Sequence, residues 1–147
     1  YGRSVWAMID TESRKPCNLL EVNNGTLMNY LAPDHPNPMA PFSRVKMGDG
    51  AQLAAIVETK YGDIDINGHV NSLKYVDHVL DLWNIDWYKE HPIHRMDIAY
   101  VAETYLGDQL KLYREQIESL TFHVRVCKVE PGSEHETEVV RCQLIFR

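Results

Sequence analysis

No stretch of this 147-residue sequence stays apolar for the roughly 18 residues a helix needs to cross a bilayer. The N-terminal residues also lack a basic region followed by an apolar run, so the expectation is a soluble, cytoplasmic protein without a membrane span. Cysteine is scarce. Cys17, Cys127 and Cys142 are odd in number and fit no close-spaced metal or redox motif, which favours reduced thiols acting as small buried hydrophobes over a disulfide framework. Positive charge is in deficit too: 15 Lys and Arg stand against 21 Asp and Glu, a formal charge of −6, so the overall field repels nucleic acid and acidic membranes. Arg14 with Lys15 and Arg44 with Lys46 are pairs rather than a patch, and no nucleic-acid partner is expected. An initiating methionine is missing, and the chain is read as beginning in mid-structure.

What is present is an ordinary globular composition, 44% hydrophobic and 24% charged, without an internal repeat. Residues 4–9, SVWAMI, form an apolar, strand-like run followed by a turn-prone polar stretch. Between residues 31 and 50, Pro33, Pro36, Pro38 and Pro41 with Gly48 and Gly50 exclude regular helix or central strand. The expected organisation is therefore 1–30 as the end of a preceding domain, 31–50 as a Pro-rich linker and 51–147 as a complete domain. Within that domain residues 51–58 are a short apolar run, ambiguous by itself between strand and helix. Leu73, Val76, Val79, Leu80 and Trp83 recur at three and four, predicting one amphipathic helix from Leu73 to about Leu82. Residues 96–104, 109–117, 120–129 and 138–146 alternate with period two, and Gly107-Asp108 and Pro131-Gly132-Ser133 supply turns. The prediction is an antiparallel meander of four strands whose apolar face the helix covers. With residues 51–58 as a first strand the order is β-α-β-β-β-β, that of an α+β hotdog fold, a curved antiparallel sheet wrapped around one long central helix.

The stretch DIDINGHVNS, residues 63–72, concentrates polar groups in front of that helix. Asp63, Asp65, Asn67 and Gly68 match positions 1, 3, 5 and 6 of the EF-hand loop, but the twelfth position, which should supply a bidentate glutamate, is Lys74. An ammonium offers a cation no lone pair, so no calcium site is expected and no cofactor is implied. In an extended stretch Asp63, Asp65 and Asn67 would share one face while Ile64 and Ile66 anchor the other in the core.

IDINGHVNSLKY, residues 64–75, resembles the acyl-ACP thioesterase motif L-D-M-N-x-H-V-N-N-x-x-Y, and Tyr100-Val101-Ala102-Glu103-Thr104 is similar to that family's Y-x-x-E-C segment. Residues 4–16 also look like the last strand of the first hotdog in these double-hotdog enzymes. The resemblance implies a C-terminal hotdog carrying the tail of an N-terminal one. It implies hydrolysis of fatty acyl-ACP to free fatty acid, in fatty acid biosynthesis. It also implies two partners: an acyl carrier protein bearing its acyl chain, and a second hotdog unit, whether the missing N-terminal half or a homodimer mate. Matched residue by residue, the family's catalytic positions fall on Asp65, Asn67, His69 and Glu103, with Gly68, Val70 and Thr104 as substrate-binding neighbours. Thr104 stands where many family members have a cysteine, which removes a thiol nucleophile at that position. A noncatalytic hotdog binding or dimerisation module, or an acyl-CoA thioesterase, is the alternative.

Taken singly, these residues have plain structural readings: Asn67 as a helix N-cap, Asp65 as a turn residue, Glu103 as a solvated strand end. Their joint match assigns them to a site. In that site Glu103 activates water, a role worth about 10² to 10⁴ in rate. Unpaired amides of a helix starting near His69 hold the thioester oxygen, each worth about 2.7 to 4 kcal/mol to the transition state. Asn67 and His69 position water or thioester, and Asp65 orients its neighbours. His91 and His94 read as surface-loop residues, and Tyr75, Trp83, Trp87 and Tyr88 as core rather than as an acyl tunnel.

Overall fold

The computed structural model describes residues 1–13, 15–32, 36–42 and 44–147; Arg14 and Pro33, named above, lie outside them. Two compact units divide between Pro41 and Phe42. In the first unit the strand-like run at residues 4–9 forms no strand. Its one ladder contact is the bridge Ile9↔Pro16, and Val5 and Trp6 are exposed. An apolar run makes a strand only with a partner edge to bond to, and none stands beside it among the described residues of this unit. A 3₁₀ stretch, Val22–Tyr30, is broken by left-handed Asn23, Asn24 and Gly25 and buries no residue.

The second unit follows the order β1 (Gln52–Glu58), α1 (Ser72–Leu80), α2 (Ile85–Glu90), β2 (Ile93–Tyr100), β3 (Gln109–Glu118), β4 (Thr121–Val129) and β5 (Glu136–Phe146). The ambiguous run at 51–58 is a strand. Residues 44–50, expected to be linker, pack with this unit: Val45 is buried, the Gly48 amide donates to Glu115 at 2.7 Å, and His123 Nδ1 lies 3.0 Å from the Lys46 carbonyl.

All five strands form one antiparallel sheet in the order β1-β3-β4-β5-β2, a hotdog arrangement. The simple meander holds only for β3-β4-β5. Alternation marks a segment as a strand but does not name its neighbour, and β2 pairs with β5, not β3. Residues 101–108 consequently cross from one edge of the sheet to the strand beside the other edge, too far for a tight hairpin. Along β3, β4 and β5 one face is buried through Leu110, Leu112, Phe122, Val124, Val126, Val140, Cys142, Leu144 and Phe146.

Against that face packs the helical layer. The predicted single helix is two: α1 ends at Leu80, and Asn84 opens α2 by accepting the Trp87 amide at 2.8 Å. Of the expected stripe, Val79 and Trp83 are buried and Leu80 packs on the core, but Leu73 is exposed and Tyr75 takes the buried place at the start of α1. Tyr75 lies four residues before Val79, so the aromatic ring takes the place on the core face that the pattern assigned to aliphatics. Trp83 meets Phe122 and Phe146 edge-on or tilted at 5.2 Å, and Trp87 adds contacts to both rings.

Candidate active site

Residues 63–71 are not an extended strand but a closed loop tied across its neck. The Asn71 amide donates to the Asp63 carbonyl and the Asp65 amide to the His69 carbonyl, each at 2.8 Å. Asp65 fills the interior of the turn: its carboxylate accepts the amides of Asn67 at 2.8 Å and His69 at 3.2 Å. Burial pushes the Asp65 carboxyl up, but the donors from Asn67 and His69 outweigh it and hold the group below the usual carboxylate range. Gly68 has a φ of +82° with open space where a Cβ would stand, so the left-handed backbone rather than close approach of a neighbour explains it. The turn also separates the two isoleucines: Ile64 packs on the core while Ile66 is fully exposed, because period two fails once the chain bends.

The helix begins at Ser72, close to the start its apolar stripe predicts but three residues past His69, where its free amides were expected. Its cap is Asn71, whose side chain accepts the Leu73 amide at 3.0 Å, and not Asn67. The expected free amides near His69 are engaged. Those of Asn67 and His69 bond Asp65 Oδ1, that of Gly68 the Asp65 carbonyl, that of Val70 the Thr104 carbonyl and that of Asn71 the Asp63 carbonyl. Leu73 and Lys74 amides both bond Asn71, leaving Ser72 as the amide of this turn without a partner among the described hydrogen bonds.

The second segment arrives through a bulge. The β4–β5 register slips at Val126/Cys127, making Val139 an extra residue, and its carbonyl accepts the amides of Val101 at 2.8 Å and Ala102 at 3.4 Å. This ends β2 at Tyr100, short of the predicted Thr104, and turns the chain toward the 63–71 loop. The hydrogen bond from Val70 to Thr104, 2.8 Å, closes the two segments on each other. Tyr100 adds a second tie, donating its hydroxyl to the Ser72 carbonyl at 3.0 Å.

The result brings His69 and Glu103 together, with Nε2 3.6 Å from Oε2. Both side chains are partly open, at 29% and 40% exposure, so water and a substrate can reach the pair. Asp65 and Asn67 join it through the His69 backbone and the turn. Gly68 is exposed at the tip, while Val70 and Thr104 are buried behind the polar wall. The Thr104 hydroxyl makes no hydrogen bond of normal geometry; the Tyr75 phenol beside it is pushed up by burial, an effect the Thr104 hydroxyl partly offsets.

Sequence reasoning missed Tyr105, whose hydroxyl donates to Glu103 Oε2 at 3.0 Å and whose ring meets His69 edge-on at 5.2 Å. The signal was the i, i+2 spacing, which in an extended stretch puts Glu103 and Tyr105 on one face and Thr104 on the other.

Asp63 caps the Lys60 amide at 2.7 Å, the strand β1 replaces an EF-hand's entering helix, and no three His, Cys, Asp or Glu among the described residues are grouped to hold a metal. The His91 ring lies tilted against Trp87, centroids 4.3 Å apart, and His94 lies in β2 rather than in a loop. Burial raises the Cys127 thiol and pushes Cys142 up to about 12, so neither supplies a thiolate.

Comparison with known proteins gives these features a family. The model of the acyl-ACP thioesterase C-terminal domain matches residues 49–144. An acyl-ACP thioesterase from Bacteroides thetaiotaomicron VPI-5482 is 40% identical with a TM-score of 0.80, covering 95% of this chain and 53% of that one. The 12:0-ACP thioesterase from Umbellularia californica, 19% identical, superposes with a TM-score of 0.70 over 95% of this chain and 52% of its own. A putative oleoyl thioesterase from Lactobacillus plantarum, 15% identical, gives 0.64 over 95% and 53%. The last two speak for the fold alone. A search of curated protein sequences finds no match. The chain thus spans about half the length of these three relatives, and it belongs to the acyl-ACP thioesterase family, of which it carries the C-terminal hotdog domain.

Proposed function

We propose that this chain carries the catalytic half of a thioester hydrolase that releases free fatty acid from acyl-ACP, with Asp65, Asn67, His69 and Glu103 as its reacting and positioning set. The observation that supports the reading most is the approach of His69 Nε2 to Glu103 Oε2 at 3.6 Å, made by two segments far apart in sequence. Glu103 takes a proton from water as its oxygen attacks the thioester carbon. The carbonyl becomes an oxyanion, for which the Ser72 amide at the start of α1 is the available backbone donor. Collapse breaks the carbon–sulfur bond, and the proton held by Glu103 passes to the departing thiolate, so acid and thiol leave in balance with the water consumed. His69 and the Asn67 side chain orient water or thioester. Asp65 keeps the turn that presents them.

In this reading residues 1–30 derive from a preceding hotdog and the partners are acyl carrier protein and a second hotdog unit. The chemistry takes place in a cytosol-like compartment as part of fatty acid synthesis. Assaying the complete enzyme on acyl-ACP and acyl-CoA panels tests it. Hydrolysis of acyl-ACP that falls with each of the four substitutions is the expected result, and turnover confined to acyl-CoA, or insensitive to Glu103, refutes it.

A further inference from the structure

We propose that Tyr105 is a positioning residue that aims the Glu103 carboxylate, and that Thr59 and Asp108 hold Tyr105 in place from behind. The inference rests on Glu103 being the base proposed above. Tyr105 touches both members of the central pair, through its hydroxyl to Glu103 Oε2 at 3.0 Å and its ring edge to His69 at 5.2 Å. A tyrosine on an exposed crossing segment would normally rotate freely, but the backbone of this one is clamped. Its amide donates to Asp108 Oδ2 at 2.9 Å, and its carbonyl lies 2.9 Å from the Thr59 hydroxyl and accepts the Asp108 amide at 3.2 Å. The Thr59 hydroxyl also lies 2.9 Å from the Asp108 carbonyl and accepts the Gly107 amide at 2.9 Å.

Thr59 and Asp108 are buried, and each belongs to the strand framework rather than the loop: Thr59 follows β1 and Asp108 precedes β3. Gly107, with a φ of +93°, supplies the positive angle that a turn over residues 105–108 needs at its third residue. Such a support is what a reacting carboxylate requires, since its own segment, between Ala102 and Tyr105, has no regular structure to fix it. A phenol donor also favours the charged form of the carboxylate it bonds, which keeps a general base unprotonated. Among the described residues, the charged groups that face this centre include His69 from the 63–71 loop, with Asp65 behind it. On the far side of Tyr105 stand Asp108 and Lys128 of β4, whose Nζ lies 5.4 Å from the Tyr105 ring centre.

Tyr105→Phe removes the hydroxyl and leaves the ring against His69. Two measurements are made: an NMR titration of the Glu103 side-chain carboxyl in this chain, and the pH profile of acyl-ACP hydrolysis by the complete enzyme. The expected result is that Glu103 titrates at higher pH in the variant and the acidic limb of kcat/KM moves up with it. At neutral pH kcat should fall about ten- to a hundredfold with KM kept. An unshifted Glu103 titration in a folded variant overturns the proposal, as does an unchanged kcat. If Tyr105→Phe does not fold, fluorotyrosine at position 105 keeps the shape and strengthens the donor; Glu103 should then titrate lower, and no shift overturns the proposal. Glu103→Gln separates the two failures. Full turnover by that variant removes the base and this inference together, whereas a large loss there with no effect of Tyr105→Phe removes this inference alone.

Discussion

The two segments that meet at the site are held in opposite ways. The 63–71 loop braces itself: Asp65 caps two amides within four residues of its own position, and the neck closes through Asp63 with Asn71. The 101–108 segment closes one turn of its own, between Tyr105 and Asp108, and otherwise leans on the Val139 bulge and on Thr59, whose hydroxyl contacts lie 46 and 49 residues away along the chain. A loop that is its own scaffold can be moved or copied as a unit. One that borrows its geometry depends on the sheet being assembled first, and the proposed base sits on the borrowed one.

The sharpest way to break the comparison is at Glu103. If the externally braced segment carries the base and the self-braced loop only positions, Glu103→Gln in the complete enzyme should reduce acyl-ACP turnover by about 10² or more with folding retained. Asn67→Ala should cost less. Initial rates beside circular dichroism decide it, and the reverse ranking would put the reacting group on the 63–71 loop.

The external brace itself comes next. Thr59→Val keeps the shape but leaves the Gly107 amide and two carbonyls without the hydroxyl, so the second unit should lose about 1 to 3 kcal/mol in denaturant unfolding. Thr59→Ser restores the hydroxyl and should recover most of that loss. Equal stability of Val and Ser variants would mean that the brace is not a support.

The self-braced loop predicts a pH dependence instead. Asp65 is held below the usual carboxylate range by the Asn67 and His69 donors, so its contribution is present above the unfolded carboxylate value and disappears as pH falls through the lowered one. Thermal midpoints of the parent and Asp65→Asn should differ at neutral pH and converge in acid. A gap that persists in strong acid would assign the effect to shape rather than charge.

Local chemistry was legible in the sequence and long-range pairing was not. The alternating strands, the α1 core positions Val79 and Trp83, and the polar run Asp65, Asn67 and His69 rest on short spacings, whereas Glu103, 34 residues past His69, was joined to them only by the family resemblance. The β2–β5 pairing has no such signature, because period two fixes which face a residue takes but not which edge its strand joins. The same limit explains the missed break at Tyr100: the Val139 bulge that ends β2 lies on another strand. It also explains Ile66, placed in the core by alternation and exposed by a turn that Asp65 and Gly68 form together. Asp108 was legible only as part of a turn, and Thr59 carries no motif at all; only the fold makes Thr59 a neighbour of Tyr105.

The smallest expected effect is at Thr104, between Glu103 and Tyr105 on the opposite face of the segment. Its hydroxyl is fully buried and makes no hydrogen bond of normal geometry, although its carbonyl accepts the Val70 amide that closes the site. Thr104→Val keeps that carbonyl and the branched shape while exchanging an unpartnered hydroxyl for a methyl group. A buried hydroxyl without a partner costs desolvation that a methyl group does not, so the exchange should be neutral or stabilising by up to about 1 kcal/mol. Turnover should stay within about threefold of the parent, since no base is placed to activate this hydroxyl and the Glu103–His69 pair remains. The pairing with Glu103→Gln makes the result informative. A valine variant that is stable but inactive would make Thr104 a nucleophile or an essential donor that opens toward the substrate on binding, and Glu103 would lose its claim to the chemistry. A stable, active one leaves the buried face of the segment to packing and the open face, Glu103 with Tyr105, to the reaction.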